Sequence, residues 1–303
     1  MKNVLCNALL LLGLTSNVMV QAESNPFFGK YKTPFETPPF DKIKTEHYEP
    51  AFKRGIAELK ADIEKIANNS EPATFENTIV ALDRSGELLN RVSGAFFNVL
   101  SANANDEMME ISQRISPDLT ESSNNIYLNE KLFARVKAVY DQRQSLNLSV
   151  EDARLLDETY RAFQESGATL SAEDKEKYRA LTTELSLLSL QFDQNALKDQ
   201  NRFEMLLTDE KDIAGLPESI REAAAHLAKE KGKEGWLFTL DAPSYVPFMR
   251  YADSRALREK MYRAYMSTGN KGDEYDNKEI IRKLVNDRLA LAQLMGYPNY
   301  AAF

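Results

Sequence analysis

Histidine and cysteine are scarce in this 303-residue chain, which contains two histidines and one cysteine. His47 and His226 lie far apart in the sequence, and neither has a second histidine four residues away. The HExxH pattern, which places two imidazoles and a general base on one helix, is therefore not present. A GxSxG elbow, a glycine-rich phosphate loop and a calcium-binding aspartate series are not present either. These motifs therefore assign no catalytic or metal-binding residue.

Basic residues are outnumbered as well. The chain has 46 acidic and 38 basic residues, a net charge of −8 and no local basic cluster. We expect no nucleic acid partner, because phosphate backbones attract proteins through clustered lysine and arginine. With 43% apolar residues and a mean hydropathy of −0.46, a chain of this length can bury a core without a disulfide or a structural metal.

The first residues resemble a secretory signal. Lys2 precedes an apolar run over 4–14, and Ala22 ends a short segment with small residues where a signal peptidase reads them. We predict a signal peptide over 1–22, export to a bacterial periplasm, and no stable membrane association after cleavage. An uncleaved anchor is the alternative, although the apolar run is short for a span of about 20 residues. Cleavage of the signal peptide would remove Cys6, so the mature chain would have no cysteine.

Hydrophobic periodicity predicts a mainly α-helical fold with a small two-stranded β element. The clearest pattern covers 75–100, where steps of three and four residues predict one continuous helix of about 39 Å. Gly86 and Ser93 interrupt the apolar stripe and are expected to allow close packing. Pro117 is expected to end or kink the helix that begins near Asp106. Further helices are predicted over 51–67, from Asn129, from Ser149, from Ser171, over 217–232, and before Gly269 and Gly296, with Gly167 as the turn of a helical hairpin and strands over 202–207 and 236–240.

Four segments carry a resemblance to a known family. They are PPFDKIKTEHYEPAFKRGI over 38–56, the FENTI, SG, LLNRV and FF blocks over 75–97, ISPDLTESSNNIYLNEKLF over 115–133, and DNKEIIRKLVNDRLALAQLMGYPNYAAF over 276–303. Together they resemble the amino-terminal portion of the M3 zinc metallopeptidases, in the peptidyl-dipeptidase branch. The match departs at Ser122 and Asn124, where family members often carry His and Asp.

The resemblance implies a peptidase with two mostly helical lobes around a deep channel. It implies zinc held on the distal lobe by an HExxH helix and a later glutamate, with peptides as substrates and carboxyl-terminal dipeptides as products. None of those family residues matches a position in this chain. The resemblance therefore transfers no catalytic, cofactor-binding or metal-binding residue, and the chain alone is expected to bind no zinc and to be inactive.

Each histidine has polar neighbours that suggest a local role. His226 and Glu230 stand one helical turn apart, which is compatible with half a metal site but more typical of a surface ion pair. His47 lies in the polar segment 46–49 before a proline and is expected to make local contacts.

The predicted organisation follows from these segments. We expect the signal peptide over 1–22, an extended, proline-rich lead-in over 23–50, an amino-terminal helical region over 51–200, and a β ribbon with helices over 201–303 that leads into a catalytic lobe beyond this sequence. The competing hypothesis is a non-catalytic helical protein that binds peptides or acts as a scaffold.

Overall fold

The structure, a computed structural model, describes residues 25–303. The predicted signal peptide over 1–22 and its cleavage site lie outside the described residues. The described chain is mainly α-helical, which confirms the fold class expected from the sequence. The helices of ten or more residues in this part of the chain are α1 (Tyr48–Ala67), α2 (Glu87–Asn103), α3 (Asp106–Tyr127), α4 (Glu130–Asp141), α5 (Val150–Glu165), α6 (Ala172–Asn201), α7 (Glu218–Glu230), α8 (Ala242–Tyr251), α9 (Arg255–Met266) and α10 (Lys278–Leu294).

The described residues group into two units. One is Leu187–Leu289, and the other joins the residues up to Ser186 with Ala290–Phe303. Helices α6 and α10 each cross a boundary between the units. The sequence predicted a boundary at residue 200, between the helical region and the region with the β ribbon, and this boundary stays a prediction.

Helix α1 contributes to two apolar clusters of the first unit. Phe52 packs edge-on against Phe96 of α2, with ring centroids 5.3 Å apart. Ile63, on the same helix, packs in a second cluster with Leu132 and Val136 of α4. All five side chains are buried, and full burial of a side chain of this size contributes about 1.5–3 kcal/mol to stability.

The second unit is built around a short antiparallel ribbon. Strand β1 (Met205–Leu207) pairs with β2 (Trp236–Phe238), and Met205 stands opposite Phe238. Phe238 packs against Phe248 of α8 with ring centroids 4.7 Å apart. The predicted β pair is confirmed, although each strand is shorter than the sequence suggested.

The continuous helix predicted over 75–100 is wrong. A π-helical turn over Phe75–Val80 and a single α turn over Ala81–Asp83 precede Gly86, whose φ of +73° lies in the left-handed region. Helix α2 begins only after this residue. Glycine adopts that backbone conformation without the steric penalty of a side chain. Ile79 before the break and Leu89 and Phe96 after it are nevertheless buried.

We expected Pro117 to end or kink helix α3; the helix continues to Tyr127, so the expected end is wrong. Proline removes one backbone donor from the helix interior. Met108, Ile111 and Ile115, all nearly fully buried, hold the helix against the core on the amino-terminal side of the proline. This packing is the physical reason that the helix continues.

Side-chain caps begin several helices as the sequence predicts. Asn129 accepts from the Leu132 N–H at 3.0 Å, and Ser149 accepts from the Asp152 N–H at 3.1 Å. Ser171 accepts from the N–H three residues on at 3.2 Å. Each cap satisfies a backbone donor that the first helical turn leaves unpaired.

The lead-in segment crosses α2 in short turns instead of an α-helix. Its 3-10 turns are Pro26–Phe28, Pro34–Glu36 and Thr45–His47. Phe27 is fully buried, and its carbonyl accepts from Arg91 Nη2 at 2.9 Å. Within residues 25–303, no helix is both long enough and apolar enough to span a bilayer.

Candidate functional site

A groove in the first unit brings charged and aliphatic side chains together. It has a cavity volume of about 670 Å³ and lies between α1 and α3, with one residue from α6. The residues that form its floor on α1 stand three and four positions apart, and such positions share one face of a helix. The floor is aliphatic and consists of Ile56, Leu59 and Ile63 from α1 and Ile126 from α3.

Helices α1 and α3 run in the same direction along this groove. Glu49 at the start of α1 accepts from Arg114 in the third turn of α3, with Arg114 Nη2 2.9 Å from Glu49 Oε2. Just beyond their ends, Lys131 Nζ donates to Asn68 Oδ1 at 2.8 Å. These two contacts fix the register, so residues that follow Arg114 on α3 face residues that follow Glu49 on α1.

The groove carries charges of both signs in equal number. Its cations are Lys53, Lys60 and Arg179, and its anions are Glu64, Asp118 and Glu121. Lys53 bonds Glu49 at 2.8 Å, whereas Lys60 lies 4.0 Å from Glu64. Arg179 Nη1 donates to Asn125 Oδ1 at 2.9 Å, which places the guanidinium beside the last turn of α3.

Asp118 and Glu121 differ from the other carboxylates of the groove. Both are exposed, and neither has a hydrogen bond or ion pair with any residue between 25 and 303. They stand three residues apart, so their side chains project from neighbouring turns of α3. Two exposed carboxylates without partners can accept a cationic group of a ligand.

Ser122 and Asn124, where the sequence departs from the family pattern, have different environments. Ser122 lines the groove. Asn124 is buried, and its Nδ2 donates to Thr182 Oγ1 at 3.0 Å. Asn124 therefore joins α3 to α6.

The two histidines make local contacts in separate units. His47 Nδ1 accepts from the Lys44 N–H at 3.0 Å. His226 Nδ1 lies 3.6 Å from Glu230 Oε2, and both side chains are exposed. Among residues 25–303, no three His, Cys, Asp or Glu side chains are arranged to hold a metal ion. The donor set described by the structure therefore does not fit zinc.

A buried carboxylate that the sequence did not single out lies in the second unit. Asp199 is fully buried and accepts from Arg202 Nε at 2.6 Å, Lys271 Nζ at 2.8 Å and the Gly269 N–H at 2.7 Å. Burial by itself raises the pKa of Asp199, but hydrogen bonds from Lys271, Gly269 and Arg202 lower that pKa below its usual value. These bonds occupy both carboxylate oxygens, so the group ties the loop after α9 to α6.

The groove and the Asp199 cluster support binding and stability, respectively, but neither shows the elements of nucleophilic catalysis. The groove offers carboxylates, ammonium groups and an aliphatic surface, which recognise ligands by charge and burial. The sequence missed the groove because its walls come from helices that are far apart along the chain. The sequence signal that could have found it is the i, i+3 pair of Asp118 and Glu121, which is not specific by itself.

Comparison with known proteins identifies relatives over most of the chain. Residues 248–303 match the sequence profile of peptidase family M3. The chain is 38% identical to the dipeptidyl carboxypeptidase of Salmonella typhimurium over 281 residues, which are 92% of this chain and 41% of that protein. It is 39% identical to the Escherichia coli dipeptidyl carboxypeptidase over 280 residues, with the same two shares. It is 34% identical to Escherichia coli oligopeptidase A over 273 residues, which are 89% of this chain and 40% of that protein.

These matches define the class of protein. The chain belongs to peptidase family M3, and it spans about two fifths of the length of these relatives. Its identity to the two dipeptidyl carboxypeptidases exceeds its identity to oligopeptidase A, which places it in the peptidyl-dipeptidase branch. The resemblance seen in the sequence is thereby confirmed.

Proposed function

We propose that this chain is the amino-terminal part of an exported peptidase that acts on short peptides and releases dipeptides from their carboxyl ends. The observation that carries the proposal is the 38–39% identity to dipeptidyl carboxypeptidases over 92% of the chain. Because the similarity extends over 92% of the chain, it supports a shared role of these helices better than one short motif could. The chain would contribute helices that enclose the substrate.

The reactive centre would lie on residues outside these 303. A zinc peptidase needs several convergent metal ligands and a general base. The described residues offer no such set, and His47 and His226 are each engaged locally. We therefore propose that this chain alone binds no zinc stoichiometrically and hydrolyses no peptide, and no reaction step is assigned to its residues.

Zinc content and hydrolysis test this proposal together. The purified chain would be dialysed against buffer with zinc, and metal per chain and cleavage of a blocked tetrapeptide would be measured. Escherichia coli dipeptidyl carboxypeptidase would be assayed in parallel as the positive control. We expect less than about one tenth of a zinc per chain and no cleavage. Chelator-sensitive cleavage by the 303-residue chain would contradict the proposal.

The gene provides a second test. We expect the reading frame to continue beyond codon 303 into an HExxH segment. Export rests on the signal-like segment over 1–22. Cell fractionation of the native host should find the protein in the periplasm with a mature amino terminus at residue 23, and cytoplasmic recovery with residues 1–22 retained would contradict export.

A non-catalytic peptide-binding protein is the second candidate. The groove favours it, because an aliphatic floor with charges of both signs can hold a peptide without any reaction. A stop codon directly after codon 303, with a monomeric product that binds peptides, would favour this candidate over the peptidase.

A further inference from the structure

We infer that the groove between α1 and α3 is a binding site for short extended peptides with free ends, bound along the helices with the amino terminus at Asp118 and Glu121. The inference deepens the proposed function, since it names where this part of a peptidase holds peptides. It depends on the groove and not on the zinc centre.

The length of the floor indicates the size of the ligand. Ile56 and Ile63 are seven residues apart on α1, which corresponds to about 10 Å along the helix axis. An extended chain advances about 3.3 Å per residue, so a peptide of about three residues covers this distance. The cavity of about 670 Å³ lies within the range of about 300–1,000 Å³ that small-ligand sites occupy. Aliphatic floor residues favour apolar peptide side chains.

The balance of charge indicates a zwitterion. Three cationic and three anionic side chains line the groove, so it selects neither an anion nor a cation as a whole. A short peptide with free ends carries one positive and one negative group at its two termini. The groove therefore complements such a peptide better than it complements a phosphate compound or a polyamine.

The arrangement of the charges gives the peptide a direction. Asp118 and Glu121 follow Arg114 by one to two turns and lie toward the end of the groove where α3 meets Glu49. Both carboxylates lack a partner among the described residues, so an α-amino group would bind there without breaking an existing ion pair.

The opposite end of the groove fits the carboxylate of the peptide. Lys60 is further along α1, its Nζ lies 4.0 Å from Glu64, and 73% of its side chain is exposed. Arg179 is held beside the last turn of α3 by its bond to Asn125. A peptide bound at Asp118 by its amino group would therefore place its carboxylate near Lys60 and Arg179.

Calorimetry with end-blocked peptides tests the inference on the purified 303-residue protein. The probes are the tripeptide Ala-Leu-Ala with free ends, its N-acetyl form and its C-amide form. We expect the free tripeptide to bind, and each blocked form to bind at least tenfold more weakly. Absence of binding by the free tripeptide at 10 mM, or equal binding of all three forms, would overturn the inference.

Substitutions in the groove test which side chains bind the amino end of the peptide and which bind its carboxyl end. In Asp118→Asn/Glu121→Gln, the free and N-acetyl forms should bind equally, whereas the C-amide form should still bind tenfold more weakly than the free form. In Lys60→Gln, the loss of affinity caused by the C-terminal amide should be at least threefold smaller than in wild type. The loss of affinity caused by N-acetylation should persist. Asp106→Asn/Glu107→Gln makes the same change in charge on α3 outside the groove and should bind like wild type. The same loss in this control would overturn the assignment to the groove.

The peptide-binding inference and the proposed peptidase function can each be contradicted without the other. The calorimetric result requires neither zinc nor hydrolysis, so failure of the peptide to bind leaves the metallopeptidase proposal intact. Chelator-sensitive cleavage by the chain would contradict the proposed function. It would not affect the calorimetric test of whether the groove prefers peptides with free ends.

Discussion

Gly55 of α1 lies so close to Leu89 of α2 that a Cβ added at position 55 would stand 2.9 Å from the Leu89 Cα. Real Cβ atoms do not approach backbone atoms so closely. The contact lies beside the packing of Phe52 on Phe96, which joins the same two helices. Position 55 therefore sets how closely α1 and α2 can approach.

Gly55→Ala should destabilise the protein by about 1–3 kcal/mol. Alanine favours the helix, but the added methyl group must push α2 away from α1, and overpacking of this kind has a cost in that range. Urea unfolding, followed by circular dichroism, measures the change. Gly94→Ala is the matched control on α2, because a Cβ there meets no atom within 4 Å. It should stabilise by up to about 1 kcal/mol, and equal stabilisation by both substitutions would contradict the packing argument.

The charge on Asp199 should make stability depend on pH. Although burial opposes ionisation, the bonds from Lys271, the Gly269 N–H and Arg202 lower the pKa of Asp199 in the folded protein. A lowered folded pKa stabilises the protein above the unfolded pKa of about 3.9, and this stability is lost as pH falls through the folded pKa. Asp199→Asn should cost about 3 kcal/mol at pH 7. The difference from wild type should shrink as pH falls below about 4.

Asp273→Asn is the control for this prediction. Asp273 also bonds Arg202, but its side chain is 35% exposed. Solvent screens such a pair, so the substitution should cost less than about 1 kcal/mol. Unfolding of both variants in urea from pH 3 to 7 would measure the two pH profiles. A constant difference between wild type and Asp199→Asn across that range would refute the role of the Asp199 charge.

Arg135→Lys should loosen the segment between α1 and the π-helical turn. Arg135 Nη1 donates to the carbonyls of Asn69 at 2.8 Å and Glu71 at 2.9 Å, and Nη2 donates to Asn77 Oδ1 at 2.9 Å. A single ammonium group cannot reproduce the planar guanidinium fork. We expect a loss of about 1–3 kcal/mol, because these charge-assisted bonds are replaced only in part.

Hydrogen exchange should locate the effect of Arg135→Lys. The amides over 69–78 should exchange faster in the variant, whereas the amides of α6 should be unchanged. Lys131→Ala is the control, since Lys131 lies on the same helix and donates to Asn68 in an exposed contact. It should change stability by less than about 0.5 kcal/mol. Unchanged exchange over 69–78 in Arg135→Lys would disprove the proposed role of Arg135 in holding this segment.

Helix α10 presents an apolar stripe that should bind a hydrophobic dye. Ile281, Val285 and Leu289 recur every four residues and are 47%, 59% and 40% exposed. An exposed apolar stripe on a soluble chain favours association with another surface. We expect dye fluorescence and concentration-dependent self-association in sedimentation experiments.

Two lysines in this stripe should remove both effects. Ile281→Lys/Val285→Lys should lower dye fluorescence several-fold and shift the protein toward the monomer. Val150→Lys is the control, because Val150 is 84% exposed but lies on a different helix. A wild-type protein that is monomeric and binds no dye would contradict this prediction.

Capping residues in the sequence correctly predicted where several helices begin. Asn129 and Ser149 carry side-chain acceptors at the correct positions, and the structure shows both bonds. Gly167 turns the chain with a φ of +83°, as expected for a helical hairpin. These features depend on one or a few consecutive residues, which is why they can be read without the fold.

Two errors show where local pattern fails. The spacing of apolar residues around Gly86 suited one helix, but spacing does not report a left-handed backbone. Helix α8 was not predicted: Pro243 suits its first turn, but Pro247 lies in its interior and argues against a helix. Phe248 is fully buried there and packs on Phe238. Tertiary packing thus outweighed local propensity.

By itself the sequence determined the family, the mainly α fold and the caps that begin several helices. These properties follow from residue identity, periodicity and short-range hydrogen bonds. Only the tertiary structure decided that Asp118, Glu121 and Lys60 line one groove, and that Lys271 reaches the buried Asp199. The physical reason is that such contacts depend on how separate helices approach each other, a distance that neither composition nor spacing along the chain specifies.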